Sequence, residues 1–224
     1  DAPLRLGLKP GRDETPEDLM LKLFYAPRTC AMATHIALED AGAAYEAQRV
    51  DFGAAEQRSP EYLAINPKGR VPALLTDRGV LTETPALLVY VAQTHPQTGL
   101  APLDDPFAFA ELQAFTAYLC ATVHVAHAHR PRGVRWADEP ASIEDMKRKT
   151  PANMRDCFRL IEDKLFRGPW AMGESYSVVD PYLFTIASWL GVHGVDVAEF
   201  PAIAEHSRRM EARPSVQRVL AAQD

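Results

Sequence analysis

Cys30 stands where Pro27, Arg28 and Thr29 close a strand-to-helix turn, at about the first turn of the helix that follows. Unpaired N–H groups and the positive end of the helix dipole favour a thiolate there, and such sites bring a thiol's pKa from about 8.5 down to roughly 3.5–7.5. Arg28 is placed to add positive charge. No second cysteine follows at CxxC spacing, so disulfide chemistry at Cys30 must take its other sulfur from a ligand, a low-molecular-weight thiol being the natural one. The plainer alternative is a small buried hydrophobe, the role of most free cysteines. That plainer role is the reading for Cys120 and Cys157, which lie inside apolar helical stretches.

Asn66-Pro-Lys-Gly-Arg-Val-Pro-Ala-Leu74 puts Pro72 into what otherwise reads as the onset of a strand. Proline cannot donate to a ladder, so the strand lies at an edge or leaves its start unpaired. A cis Val71–Pro72 bond would do the latter and turn the N–H and C=O of Val71 outward, towards the backbone of an extended, peptide-like ligand; an ordinary turn is the alternative. Glu83 and Thr84 then open a helix. A carboxylate and a hydroxyl beside free N-terminal N–H groups can hold the ammonium and the carboxylate of an α-amino acid moiety, although capping and dipole interaction explain the same residues.

These groups need elements to hold them. Leu21–Tyr25 reads as a strand, and Ala31, Ala33, Ile36, Ala37, Leu38 and Ala41 follow helical spacing up to a stop at Gly42. A second strand is expected over Tyr45–Phe52, a short helix over Pro60–Asn66, a third strand over Val71–Thr76 and a fourth over Val80–Thr82 after a turn at Gly79. A helix over Thr84–Gln93, with Pro85 where a missing N–H is harmless, completes a βαβαββα order. His95–Pro106, with three prolines and a glycine, reads as a linker. Beyond it only helical periodicity remains, over Phe107–His129, Ser142–Phe166, Val178–Val192 and Pro201–Met210, with a short helix after Pro214. The expected division is an N-terminal extension at residues 1–20, an α/β domain at 21–95, the linker at 96–106 and an all-helical domain at 107–224.

Composition narrows the function classes. Of 224 residues 47% are apolar and 24% charged, ordinary for a globular chain and unlike a disordered one. Apolar runs such as Ala86–Ala92 stop well short of the roughly 18 residues of a membrane span. A net charge of −6 with no basic block leaves no nucleic-acid footprint. Three cysteines cannot all pair within the chain, which fits a reducing cytoplasm. The first twenty residues are polar and lack the apolar core of a signal peptide.

Taken together, Leu21-Lys-Leu-Phe-Tyr-Ala-Pro-Arg-Thr-Cys30, His35-Ile-Ala-Leu38, Leu63-Ala-Ile-Asn-Pro-Lys-Gly-Arg-Val-Pro-Ala-Leu74, Leu81-Thr-Glu-Thr84 and Ser177-Val-Val-Asp-Pro-Tyr-Leu-Phe184 make the chain resemble the cytosolic glutathione transferase superfamily, most of all its bacterial beta class. The resemblance implies a thioredoxin-like N-terminal domain with Pro72 as its cis proline, followed by an all-α domain. It implies that Val71 pairs with the cysteinyl backbone of glutathione, that Glu83 and Thr84 hold its γ-glutamyl end, and that Cys30 faces its sulfur. Phe115–His124 aligns with the beta-class helix whose histidine approaches the cysteine, so His124 is a candidate to stabilise the thiolate or relay a proton. The chain departs from the class where Arg58 is the only base between Gly53 and Pro60, and where Ala117 and Ala121 replace polar residues.

The implied function is transfer of glutathione to a small apolar electrophile. The alternatives are thiol–disulfide exchange through a Cys30 mixed disulfide and non-catalytic binding of glutathione or another ligand. A homodimer without metal is expected: His124 and His127 share a helix face, His129 does not, and no carboxylate or cysteine pattern accompanies them. Ser177–Asp180 is a capping box. Arg130–Trp136 reads as a solvated loop, with an anion or glutathione's glycyl carboxylate as the alternative partner of its arginines.

Overall fold

The computed structural model describes residues 20–223, so the expected N-terminal extension lies, but for Met20, outside the described residues. Four strands, β1 (Leu21–Tyr25), β2 (Tyr45–Arg49), β3 (Ala73–Thr76) and β4 (Gly79–Thr82), form a sheet in the order β2-β1-β3-β4. β1 runs parallel to β2 and antiparallel to β3, and β3 turns back antiparallel into β4. β1 is central and buries Leu23, Phe24 and Tyr25, while β2 is an edge whose exposed Glu46, Ala47 and Arg49 include charges that discourage further strand pairing. β2 ends at Arg49, short of Phe52, because the chain then turns on Asp51, whose carboxylate accepts the N–H groups of Gly53 and Ala54. β3 begins at Ala73 rather than Val71, because Pro72 has no N–H to give and pairing with β1 starts at Phe24 opposite Ala73.

Helices α1 (Ala31–Ala41) and α3 (Thr84–Thr94) pack together beside the sheet, and the short α2 (Pro60–Ile65) sets Tyr62 edge-on against Phe24, ring centroids 5.9 Å apart. Gly42 closes α1 in the left-handed conformation, φ 63°. α1 is buried almost all round because its other side meets the helical half.

That half comprises α4 (Pro106–Tyr118), α5 (His124–Arg132), α6 (Pro140–Leu160), α7 (Val179–Ala187), α8 (Pro201–Glu211) and α9 (Pro214–Ala221). Asp105 caps α4 by accepting the N–H groups of Phe107 and Ala108. Two π-helical segments, Leu119–Val123 between α4 and α5 and Ile161–Leu165 after α6, escape a reading based on 3.6-residue spacing. α7 stops at Ala187, five residues before its expected end, and Asp180 N–H bonds back to the Ser177 carbonyl at 3.1 Å, the tightened first turn that Pro181 demands. α7 and α9 pack on α1, so the sheet domain and the helical domain share a wall. Among the described residues no helix is long and apolar enough to cross a membrane.

Candidate functional site

Cys30, Val71, Pro72, Glu83, Thr84 and His124, all expected from the sequence, line one cavity of about 610 Å³ between the two domains. The turn that carries Cys30 is held from both sides. Thr29 Oγ1 donates to the Ala26 carbonyl at 2.7 Å, the Arg28 N–H donates to Gln223 Oε1 at 2.8 Å, and Trp189 Nε1–H donates to the Arg28 carbonyl at 3.1 Å. These contacts keep Arg28 at φ 58°, a left-handed conformation that costs a non-glycine residue of order 1 kcal/mol or more.

Cys30 occupies the N-cap of α1, as its spacing implied, but its thiol is not tuned downward. Burial pushes its pKa up, against the opposing pull of the Thr84 hydroxyl and the Arg132 charge. The direction is opposite to the downward shift that a helix terminus favours, and burial of the sulfur is its largest cause. Arg132, from the helical domain, supplies the nearby positive charge expected of Arg28. The Cys30 S–H donates to the Val71 carbonyl, Sγ to O 3.6 Å. Tyr25 plays no part here: its hydroxyl donates to the Ala222 carbonyl at 3.1 Å.

The Val71–Pro72 bond is cis. The turn before it is built by Asn66, buried, whose Nδ2 donates to the Arg70 carbonyl at 2.7 Å while Tyr62 Oη–H donates to the same oxygen at 2.7 Å. Gly69 is required within it: its φ is +58°, and a Cβ there would lie 2.9 Å from the Gln57 carbonyl oxygen. Gly69→Ala should therefore cost about 2–4 kcal/mol, from left-handed strain plus the clash, read as a lower urea midpoint at unchanged m-value.

Glu83 is the N-cap of α3 at φ 75°, ψ 117°, another non-glycine residue in a strained conformation. Its carboxylate makes no capping bond; Lys68 Nζ donates to Glu83 Oε1 at 2.5 Å and to Thr82 Oγ1 at 2.7 Å. Thr84 is buried, and its hydroxyl bears on Cys30 rather than capping the helix. Lys68 was not singled out by the sequence reading. The available signal was opposite charge across the β3–β4 hairpin, whose register brings Thr82 opposite Ala73.

The π-helical turn at Leu119–Val123 adds residues to the helix and re-aims its end, so that Cys120, Ala121, His124, Ala128 and Arg132 all reach the cavity wall. His124 lies against Trp189, ring centroids 4.9 Å apart, and His127 stacks on the same indole at 4.3 Å. His127 Nδ1 and His193 Nε2 share a hydrogen bond of 2.8 Å. Burial, followed by the charges of Arg132, Arg70 and Arg135, lowers His124 to about 4. Its imidazole is neutral near pH 7 and offers a hydrogen bond rather than a full charge. The Arg130–Trp136 stretch is exposed at Arg130, Val134, Arg135 and Trp136, as expected, but it is not a loop. Helix α5 continues through Pro131, a short 3₁₀ turn follows at Gly133–Arg135, and Arg132, Arg135 and Trp136 line the cavity. Sequence reasoning missed Trp189 and Cys120 as cavity residues because each arrives from a distant element, and it gave an anionic partner for the Arg130–Trp136 arginines only as the alternative to a solvated loop. Among the described residues no three His, Cys, Asp or Glu side chains gather as a metal site would need.

Comparison with known proteins places this geometry. Residues 19–93 match the family described as "Glutathione S-transferase, N-terminal domain". A glutathione S-transferase of Xanthomonas campestris, GST-4.5, is 31% identical over 203 residues, which cover 91% of this chain and 98% of the relative. A glutathione transferase homologue from Sulfitobacter, solved with bound glutathione, is 48% identical with a TM-score of 0.88 and covers 91% and 98% of the two chains. The bacterial beta-class enzyme of Sphingomonas chungbukensis is 31% identical with a TM-score of 0.79, covering 90% and 98%. The chain belongs to the glutathione transferase superfamily, and bacterial beta-class transferases stand among its relatives over nine-tenths of its length.

Proposed function

We propose that the chain is a glutathione transferase that joins glutathione's sulfur to a small electrophile. The observation that carries the reading is the convergence, in one interdomain cavity, of the Val71 backbone, the Glu83 carboxylate and open N-terminus of α3, and a protonated Cys30 thiol. Glutathione lies with its cysteinyl backbone along Val71 and its γ-glutamyl ammonium at Glu83, whose charge Lys68 orients. Thr84 and the first N–H groups of α3 receive the γ-glutamyl carboxylate. The arriving cysteinyl N–H takes the Val71 carbonyl and frees the Cys30 S–H to donate to glutathione's thiolate.

The chemistry then follows in one displacement. Glutathione's thiol proton passes to solvent, the thiolate forms a C–S bond at the electrophilic carbon, and the leaving group departs with the electron pair. Cys30, and His124 as a neutral donor, stabilise the negative sulfur before attack. The electrophile's apolar body rests on Trp189 and Trp136. Thiol–disulfide exchange uses the same cavity, with Cys30 as nucleophile; the upward shift of its thiol disfavours the thiolate which that route needs.

Titration calorimetry with glutathione tests the reading at its first step. Binding is expected at or below millimolar concentration and should weaken at least tenfold in Glu83→Ala; no heat up to 10 mM, roughly the weak end of specific small-ligand binding, rejects it.

A further inference from the structure

The chain carries a net charge of −6, yet five arginines line the cavity, Arg28, Arg58, Arg70, Arg132 and Arg135, against one carboxylate, Glu83. Glu83 is already engaged by Lys68. None of the five arginines has a carboxylate within 4.0 Å among the described residues. The lining arginines also feel one another. Arg135 is pushed below its ordinary value by burial and by the charges of Arg132, Arg70 and Arg58, and the same group depresses His124. Like charges held this close raise the energy of the empty site until a counter-charge enters.

Glutathione neutralises only part of the group. On the reading above its γ-glutamyl carboxylate goes to the start of α3, and Arg58 and Arg70, on the sheet-domain wall with Gly69 and Val71, are the arginines available to its glycyl carboxylate. Arg132 and Arg135 come from the opposite wall, at the end of α5 and in the 3₁₀ turn after it. A helix C-terminus favours cations, which explains basic residues there but not why these two line the cavity. Trp136, held edge-on to His129 at 4.6 Å and 47% exposed, presents an aromatic face beside them. Arg132 is half-buried, so an anion meeting it is screened less than at the surface.

We infer that the second substrate carries a carboxylate, received by Arg132 and Arg135, with its apolar body against Trp136. The inference rests on the transferase reading above and narrows the electrophile from apolar to amphiphilic and anionic. The carboxylate belongs either to the electrophile itself or to a second glutathionyl group in a disulfide.

The full chain, saturated with glutathione, is assayed with 4-chloro-3-nitrobenzoate and its neutral isostere 4-chloro-3-nitrobenzamide. In both, the C–S bond forms as the C–Cl bond breaks, chloride leaves with the electron pair and the thiol proton goes to solvent. After division by the uncatalysed rates, kcat/KM should favour the benzoate at least tenfold. In the double variant Arg132→Gln/Arg135→Gln that ratio should fall to within twofold of one, and Arg132→Lys/Arg135→Lys should restore part of it. Because the ratio is taken within each protein, partial unfolding does not move it. A ratio within threefold of one in the wild type, or one unchanged in the glutamine variant, overturns the inference. Competition by glutathione disulfide identifies the source: tighter, arginine-dependent inhibition than by 3-nitrobenzoate assigns the carboxylate to a second glutathionyl group, and the reverse assigns it to the electrophile. Tryptophan quenching by 3-nitrobenzoate reads the same arginines without turnover; quenching equal in wild type and glutamine variant also counts against the inference. Failure of glutathione to bind would instead reject the transferase reading.

Discussion

Cys30→Ala should lower kcat/KM for conjugation with a neutral chlorodinitrobenzene by roughly 10- to 100-fold and shift its rise with pH upward by about one unit. The sign follows from the protonation state. Burial holds the Cys30 thiol above its ordinary pKa, so near neutral pH it is an S–H donor aimed at the place where Val71 meets the ligand's cysteine. A donor to glutathione's sulfur stabilises the thiolate over the thiol and lowers that sulfur's pKa. Removing it raises the pKa, and the thiolate fraction at a given pH falls. Deleting a preorganised donor to a developing oxyanion typically costs about 10²–10³, and a thiol donor is weaker, which sets the smaller figure. Cys30→Ser separates the two roles of the sulfur. A serine hydroxyl can still donate, so it should recover most of the alanine variant's loss, whereas a route that needs Cys30 as nucleophile treats serine and alanine as equally dead. Serine and alanine variants with the same rate and the same pH profile would reject the donor role.

The sheet half was legible because its signals are local. A short run with aromatic content closed by Pro27 marks β1, the Gly79 turn marks the β3–β4 hairpin, a Gly42 stop marks α1, and one proline in Asn66–Leu74 marks where pairing must fail. The helical half was legible as helix but not as wall. A five-residue π turn at Leu119–Val123 leaves no trace in apolar spacing, yet it decides which side chains beyond Cys120 meet the cavity. Arg130–Trp136 read as a solvated loop because arginine, proline and glycine usually are one; only its closeness to Arg70 and His124 gives those charges a direction.

Cys30 shows the other limit. Sequence places it correctly at a helix N-terminus, where elementary electrostatics favours the thiolate. The burial that raises the thiol is not a local property of the sequence: the sulfur's hydrogen-bond partner, the Val71 carbonyl, lies 41 residues away in the chain. Trp189 is similar: nothing near it in sequence says that its indole N–H will clamp the Arg28 carbonyl while its face carries His124 and His127.

Asp180→Ala should destabilise the protein by about 3–5 kcal/mol, lowering the thermal midpoint by roughly 10 °C, the largest stability effect expected of a side chain outside the cavity. Asp180 is 0% exposed and accepts four hydrogen bonds or ion-pair contacts: from Ala171 N–H at 2.7 Å, Ser177 N–H at 2.8 Å, Ser177 Oγ at 3.3 Å and His206 Nε2 at 3.0 Å. It thus ties the loop before α7 to the start of α7 and to α8. Alanine leaves the two buried N–H groups without acceptors, and His206, whose Nδ1 already has no partner, is left with none at either nitrogen. Each such orphan costs about 1–3 kcal/mol, which gives the range even after local relaxation. Asp180→Asn keeps one acceptor oxygen but turns an NH₂ towards groups that donate, so about half the loss should remain. A thermal shift under 2 °C for the alanine variant would show that the loop is held by its packing rather than by this carboxylate. The effect should reach the cavity as well, because α7 leads directly into Trp189: at temperatures where the variant is partly unfolded, activity should fall in proportion to the folded fraction, leaving KM for glutathione unchanged.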